Sequence, residues 1–218
     1  MVNKKNKPFI PALGYNWLTG FYDFTIKITM PEKKFRDKLI QLLNPNNSEQ
    51  ILEFGFGTGQ NLILAHQKNN HSNLVGLDID PKVKQIAEYK LKQKNIDIPL
   101  DLYDGNAFPY LDNRFDKIFS SLVFHQLERN TKMSCLNEIF RTLKPGGKLL
   151  IGDWGKPKSK PMRWLFYLVQ ILDGFKTTTD NVKGLLPGFM ANAGFKNVTE
   201  VDYINTKIGS YCYYLAGK

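Results

Sequence analysis

At 218 residues, 42% apolar and 23% charged, the chain has the size and composition of one globular domain with a full core. Its two cysteines, Cys135 and Cys212, supply neither a disulfide framework nor a metal-ligand spacing, so no metal centre is expected and a cytoplasmic setting fits reduced thiols. Its 30 Lys and Arg against 20 Asp and Glu give a formal charge of +10, which leaves nucleic acid, anionic lipid and acidic small molecules open as partners.

The first residues carry lysines without an apolar run behind them, so no signal peptide is expected, and no window reaches the length of a membrane span. To about residue 30 the chain is aromatic and irregular, with Phe9, Tyr15, Trp17, Phe21, Tyr22 and Phe24. Thr29-Met-Pro-Glu32 then has the spacing of a capping box. It predicts a helix to about residue 43 with Phe35, Leu39, Leu42 and Leu43 on one face, stopped by Asn44-Pro-Asn-Asn47.

From there strand and helix patterns alternate. Strands are expected over 50–54, 73–77, 98–103, 115–121 and 148–152. Helices are expected over about 58–68, 80–94 and 131–143, with Asp80-Pro81 as a start signal and Pro145-Gly-Gly147 as a turn. This alternation predicts a parallel sheet covered on both faces. Beyond it, 162–175 and 182–193 read as apolar helices, the second closed by Gly194. Segments 195–203 and 210–216 alternate as strands of an antiparallel hairpin.

The stretch Ile51-Leu-Glu-Phe-Gly-Phe-Gly-Thr-Gly59 carries the most chemistry. Gly55, Gly57 and Gly59 let the backbone bend with positive φ and approach a ligand closely. The bend delivers that ligand to a helix N-terminus, where free N–H groups favour polar or anionic groups. The spacing is G-x-G-x-G, not the G-x-G-x-x-G of dinucleotide folds, which argues against a nicotinamide oxidoreductase. Glu53, Asp78 and Asp104 fall at the ends of three consecutive predicted strands, so they line one crevice at the carboxyl edge of the sheet. Asp78 is placed to accept both hydroxyls of a ribose. Asp80 is expected to be a helix cap instead.

These motifs together resemble class I S-adenosylmethionine-dependent methyltransferases of the type 11 kind. Ile51 to Gly59 is similar to the family's first motif, and Val75-Gly-Leu-Asp-Ile-Asp80 to the motif whose acid holds the ribose. Asp104-Gly-Asn-Ala-Phe-Pro-Tyr110 is similar to the segment that faces the adenine. The run from Phe115 to Leu127 and Leu143-Lys-Pro-Gly-Gly147 match the motifs around the fourth and fifth strands. The resemblance implies a Rossmann-like three-layer α/β sandwich with a seven-stranded, mostly parallel sheet and an antiparallel last strand. It implies S-adenosylmethionine as cofactor, S-adenosylhomocysteine as product, and Glu53, Gly55, Gly57, Gly59, Asp78, Ile79, Asp104, Gly105, Asn106 and Ser121 as cofactor-binding positions. Phe56, where Cys or Ser is commoner, is expected to add bulk near the cofactor. Residues 1–45 are then a lid segment with a helix, and 46–218 the methyltransferase domain.

A carbon or hydroxyl acceptor needs a base, and His125, Asp153 and Tyr22 are the candidates. Lining the cofactor or capping the next helix is an equal account of His125. The tetrapeptide of amino-methylating nucleic-acid enzymes is absent, with Ser120-Ser-Leu-Val123 in its place, as is the Pro-Cys pair of pyrimidine enzymes. Nucleic acid is therefore the disfavoured acceptor. The segment from Lys156 to Leu172 is basic, then strongly apolar, which suits an anionic membrane surface, a lipophilic acceptor or a plain lid helix. The end of the chain is similar to quinone-biosynthesis C-methyltransferases, which favours a small, partly apolar acceptor such as a quinone precursor. An RNA-directed enzyme and a non-catalytic cofactor-binding protein are the alternatives, and the oligomeric state stays open.

Overall fold

The structure, a computed structural model, describes residues 31–218. The opening aromatic segment, including Tyr22 and the predicted cap at Thr29, lies outside the described residues. The short apolar runs form seven strands: β1 (Gln50–Phe54), β2 (Asn73–Asp78), β3 (Leu100–Leu102), β4 (Phe115–Ser121), β5 (Leu143–Trp154), β6 (Lys196–Asn205) and β7 (Ser210–Gly217). They build one sheet in the order β3-β2-β1-β4-β5-β7-β6. β7 runs antiparallel to both neighbours while the other pairs are parallel. The order reverses between β1 and β4, the place where open α/β sheets form ligand crevices.

Helices α1 (Glu32–Leu43), α2 (Gln60–Lys68), α3 (Pro81–Gln93), α4 (Arg129–Thr142), α5 (Lys160–Asp173), α6 (Phe175–Val182) and α7 (Leu186–Asn192) complete the layers. One face of the sheet buries Phe35, Leu39 and Leu43 of α1, Leu62 of α2, Leu91 of α3 and Phe166 of α5. Each such side chain contributes roughly 1.5–3 kcal/mol by leaving water. The other face buries Leu136 and Ile139 of α4 and Leu186 and Met190 of α7. β7 serves both layers by strand alternation: Tyr211 and Tyr213 enter the first, Cys212 and Tyr214 the second. The result is the three-layer sandwich expected, with the predicted hairpin as β6 and β7.

Boundaries differ in places. Asp80 caps α3, its carboxylate accepting the Lys82 N–H at 2.8 Å, as expected. The predicted 182–193 helix is shortened to α7, and an unpredicted helix, α6, precedes it, with Gly184 at φ 71° between them. Asp153, expected just after the fifth strand, lies within β5 and is fully buried. Among the described residues, no helix is long and apolar enough to cross a membrane.

Candidate active site

The glycine bend follows directly from β1. Gly55, Gly57 and Gly59 adopt φ of 73°, 51° and 77°, and Gly59 occupies the N-cap of α2 in the left-handed region. At Gly55 a Cβ would lie 2.3 Å from Cγ2 of Val123, so close approach as well as φ demands glycine there. At Gly57 nothing among the described residues lies within 4 Å of a Cβ position, so among them the crown of the bend opens onto free space. Phe56 turns the other way. It is buried in the core, with its ring at the position a side chain on Gly76 of β2 would need. The expected bulk near the cofactor is therefore absent: the ring is part of the packing beneath the bend.

Asp78 ends β2 beside this bend. Its Oδ2 accepts the Gly57 N–H at 2.9 Å, and its Oδ1 accepts the N–H groups of Ile79 at 2.7 Å and Asp80 at 3.1 Å. Burial raises its pKa from the ordinary carboxylate value, and these three N–H groups oppose that rise. Two oxygens with lone pairs to spare can still accept a vicinal diol. One strand further out, Gly105 at φ 84° brings its loop against Ile79, whose Cδ1 would lie 3.3 Å from a Cβ on Gly105. Asp104 orders the same loop by accepting from the Asn106 N–H at 3.0 Å and from Asn106 Nδ2 at 2.8 Å. The sheet thus gathers Glu53, the bend, Asp78, Ile79, Asp104, Gly105 and Asn106 at one edge.

Glu53 is fully buried within β1. Its Oε1 accepts from Nδ2 of Asn61 at 2.8 Å, and Oδ1 of Asn61 accepts from Arg36 at 2.6 Å. Its Oε2 makes no hydrogen bond among the described residues, although the Leu62 N–H also bears on the carboxylate. Burial pushes this carboxyl up to about 8, against the opposing influence of Asn61 and Arg36. Asn61, two residues past the motif in the first turn of α2, was legible in principle; Arg36 carried no signal.

A second cluster lies at the ends of β4 and β5. Leu122, directly after β4, holds φ at 57°, a strained conformation for a bulky side chain and a common one beside functional sites. The chain then forms a short 3-10 turn, Phe124–Gln126, that buries His125. Nδ1 of His125 lies 2.8 Å from Oδ1 of Asp153, and the His125 N–H donates to Oδ2 at 3.2 Å. Two of the predicted residues are therefore partners. Nε2 of His125 makes no hydrogen bond among the described residues, and Oδ2 of Asp173, at the end of α5, stands 3.7 Å away. Burial alone would lower the imidazole pKa, but Asp153, and beyond it Asp173, raise it above the ordinary value. Ser121 turns its hydroxyl to that of buried Tyr211 at 2.8 Å, a partner the sequence pattern did not mark. Behind His125, buried Lys132 donates to the Thr177 carbonyl at 2.6 Å and faces Asp180, which is also held by Arg129.

The doubly wound order and a glycine bend at the switch point define an α/β domain with a ligand crevice at that edge. Residues 51–147 match the methyltransferase domain family. Over 62% of its length the chain is 31% identical to a demethylmenaquinone methyltransferase of Bacteroides fragilis, covering 55% of that protein. It is 27% identical to a ubiquinone/menaquinone biosynthesis C-methyltransferase of Shewanella sediminis, over 73% of this chain and 70% of that one. The chain spans about half the length of the Bacteroides relative. In structure it resembles a SAM dependent methyltransferase from Aquifex aeolicus, with TM-score 0.59 and 18% identity over 89% of this chain and 96% of that one. Over residues 51–147 the chain is thus similar to S-adenosylmethionine-dependent methyltransferase domains. The residues at the bend fit an adenosyl group: open space over Gly57, acceptor oxygens on Asp78, and an unpartnered buried oxygen on Glu53.

Proposed function

We propose that the chain is a methyltransferase that uses S-adenosylmethionine to methylate a small, partly lipophilic acceptor of the quinone-precursor kind. The observation that carries this reading is the edge where the glycine bend, Asp78 and the orphaned Glu53 oxygen converge. The quinone-biosynthesis names of the sequence relatives support the acceptor class. When bound, the cofactor supplies an activated methyl group on a sulfonium, so the protein's task is alignment. Asp78 would take the ribose hydroxyls, and Ile79, Asp104, Gly105 and Asn106 would border the adenine. Gly55, Gly57 and Gly59 would pass close to the rest of the molecule, with Ser121 and Glu53 at its far end.

For a carbon or hydroxyl acceptor, His125 is the base this reading favours. The Asp153 carboxyl, 2.8 Å from Nδ1, accepts the proton carried there, which leaves the lone pair of Nε2 as the group that accepts a proton. Near-attack alignment of the reacting atoms is worth on the order of 7–11 kcal/mol. The test is transfer of labelled methyl to a panel holding demethylated isoprenoid quinols, small amines and bulk RNA. Label in the quinol fraction is the expected result. Label in RNA alone, or cofactor binding without turnover on any acceptor, would replace this reading by the RNA-directed or the non-catalytic one.

Glu53 supplies a check of the binding mode that needs no acceptor. With its carboxyl held at about 8, it is protonated near neutral pH in the free protein. A cation seated beside it favours the ionised form, so cofactor binding near pH 7 should expel up to about one proton. Calorimetry in buffers of different ionisation enthalpy reads that proton directly, and Glu53→Gln should abolish it. Identical enthalpies in both buffers would place the cation away from Glu53.

A further inference from the structure

Helix α5 is apolar around most of its circumference. Phe166, Val169 and Gln170 are buried against the sheet, and that inner face completes the core. The opposite face carries Trp164, Leu168 and Ile171, which are 77%, 56% and 67% exposed. The spacing 160, 164, 168, 171 puts Lys160 at the head of this same stripe. Exposed Lys156 precedes it, Lys158 is paired with Glu200 of β6, and Arg163 lies over the Tyr167 ring at 4.2 Å while donating to Oε1 of Gln170 at 2.9 Å. No acid occurs between Asp153 and Asp173. Ordinary surface helices do not pair an exposed Trp-Leu-Ile stripe with an acid-free basic end; interfacial helices do.

We propose that this outer face of α5 docks the protein on an anionic lipid surface. The apolar stripe would enter the headgroup and acyl boundary while Lys156 and Lys160 meet the headgroup charge. Charge decides against a second copy of the chain as occupant. Its own α5 would bring a like-charged basic end, with no acid in the segment to pair with it. The inference goes beyond the catalytic reading and holds whatever the acceptor is.

Co-sedimentation of the full chain with phosphatidylcholine vesicles, with and without phosphatidylglycerol, tests this. Binding is expected on the anionic vesicles, falling as salt rises. Trp164→Asp combined with Ile171→Asp should cut the partition by about tenfold or more, the effect of placing two charges in the interface. Lys160→Gln should cut it by about fivefold. Equal binding to both vesicle types, or a doubly substituted chain that binds as the parent does, would overturn the proposal. So would protection of Trp164 and Ile171 from hydroxyl-radical labelling in vesicle-free buffer, since residues 1–30 or a second copy would then cover the face.

Discussion

Asp78→Ala should weaken S-adenosylmethionine binding by about a hundredfold or more, measured by calorimetry, because two separate supports fail together. The first is the pair of acceptor oxygens offered to the ribose; hydrogen bonds to a charged group contribute about 1.5–3 kcal/mol each. The second is internal. The carboxylate accepts N–H groups from Gly57, Ile79 and Asp80, so it ties the glycine bend of β1 to the end of β2. Alanine leaves those donors unpaired and lets the bend relax. Asp78→Asn keeps one acceptor oxygen and should fall between the parent and Ala. An affinity unchanged in Asp78→Ala would sink the assignment of this edge as the cofactor site.

Asp153→Ala is expected to cost about 3–5 kcal/mol of folding stability, because it leaves the buried His125 ring and two backbone N–H groups without their acceptor. Asp153 holds His125 through both its ring and its N–H and also accepts the Trp154 N–H at 2.6 Å. The pH dependence has a definite sign. The folded-state pKa of His125 is raised, so its stabilising contribution is complete below about pH 6.5 and is lost as pH climbs through the raised folded value. Glu53, also raised, acts in the same direction between its ordinary value of 4.5 and about 8. The difference between the parent and His125→Gln in denaturant titrations across pH 5 to 9 therefore isolates the imidazole, and the variant should show the shallower slope. If His125 also serves as base, His125→Gln lowers the turnover rate by about 10²–10⁴ with cofactor affinity kept. A variant that loses cofactor affinity and keeps its turnover rate would reduce the residue to a lining role.

Much of this site was legible before any coordinates. The glycine bend, the strand-end acids and the Asp80 cap are local patterns, each decided within a few residues of chain. The contact between His125 and Asp153 was not, because it depends on β4 and β5 being neighbours with Ser121 opposite Gly152. Sheet order leaves no mark in a one-dimensional pattern. Arg36 reaches Glu53 only through Asn61, across two helices. Helix α6 went unread for a different reason. Its Thr177, Thr178 and Thr179 are β-branched and poor helix formers. Their hydroxyls bond back to the carbonyls of Asp173, Gly174 and Phe175, and Lys132 and Gln170 hold the turn from outside. Tertiary partners override local preference there.

The position of β7 bears on how the protein emerges from the ribosome. β5 carries Asp153 and Trp154, and their flanking partners are Cys212 and Tyr211 on a strand translated well downstream. Until that segment appears, the nascent polypeptide exposes an unpaired β5 edge, an invitation to misassociation. The hydroxyl of Tyr211 that meets Ser121 arrives by the same late insertion. The edge that holds Ser121 and Asp153 should therefore close in a single step, once β7 has been added.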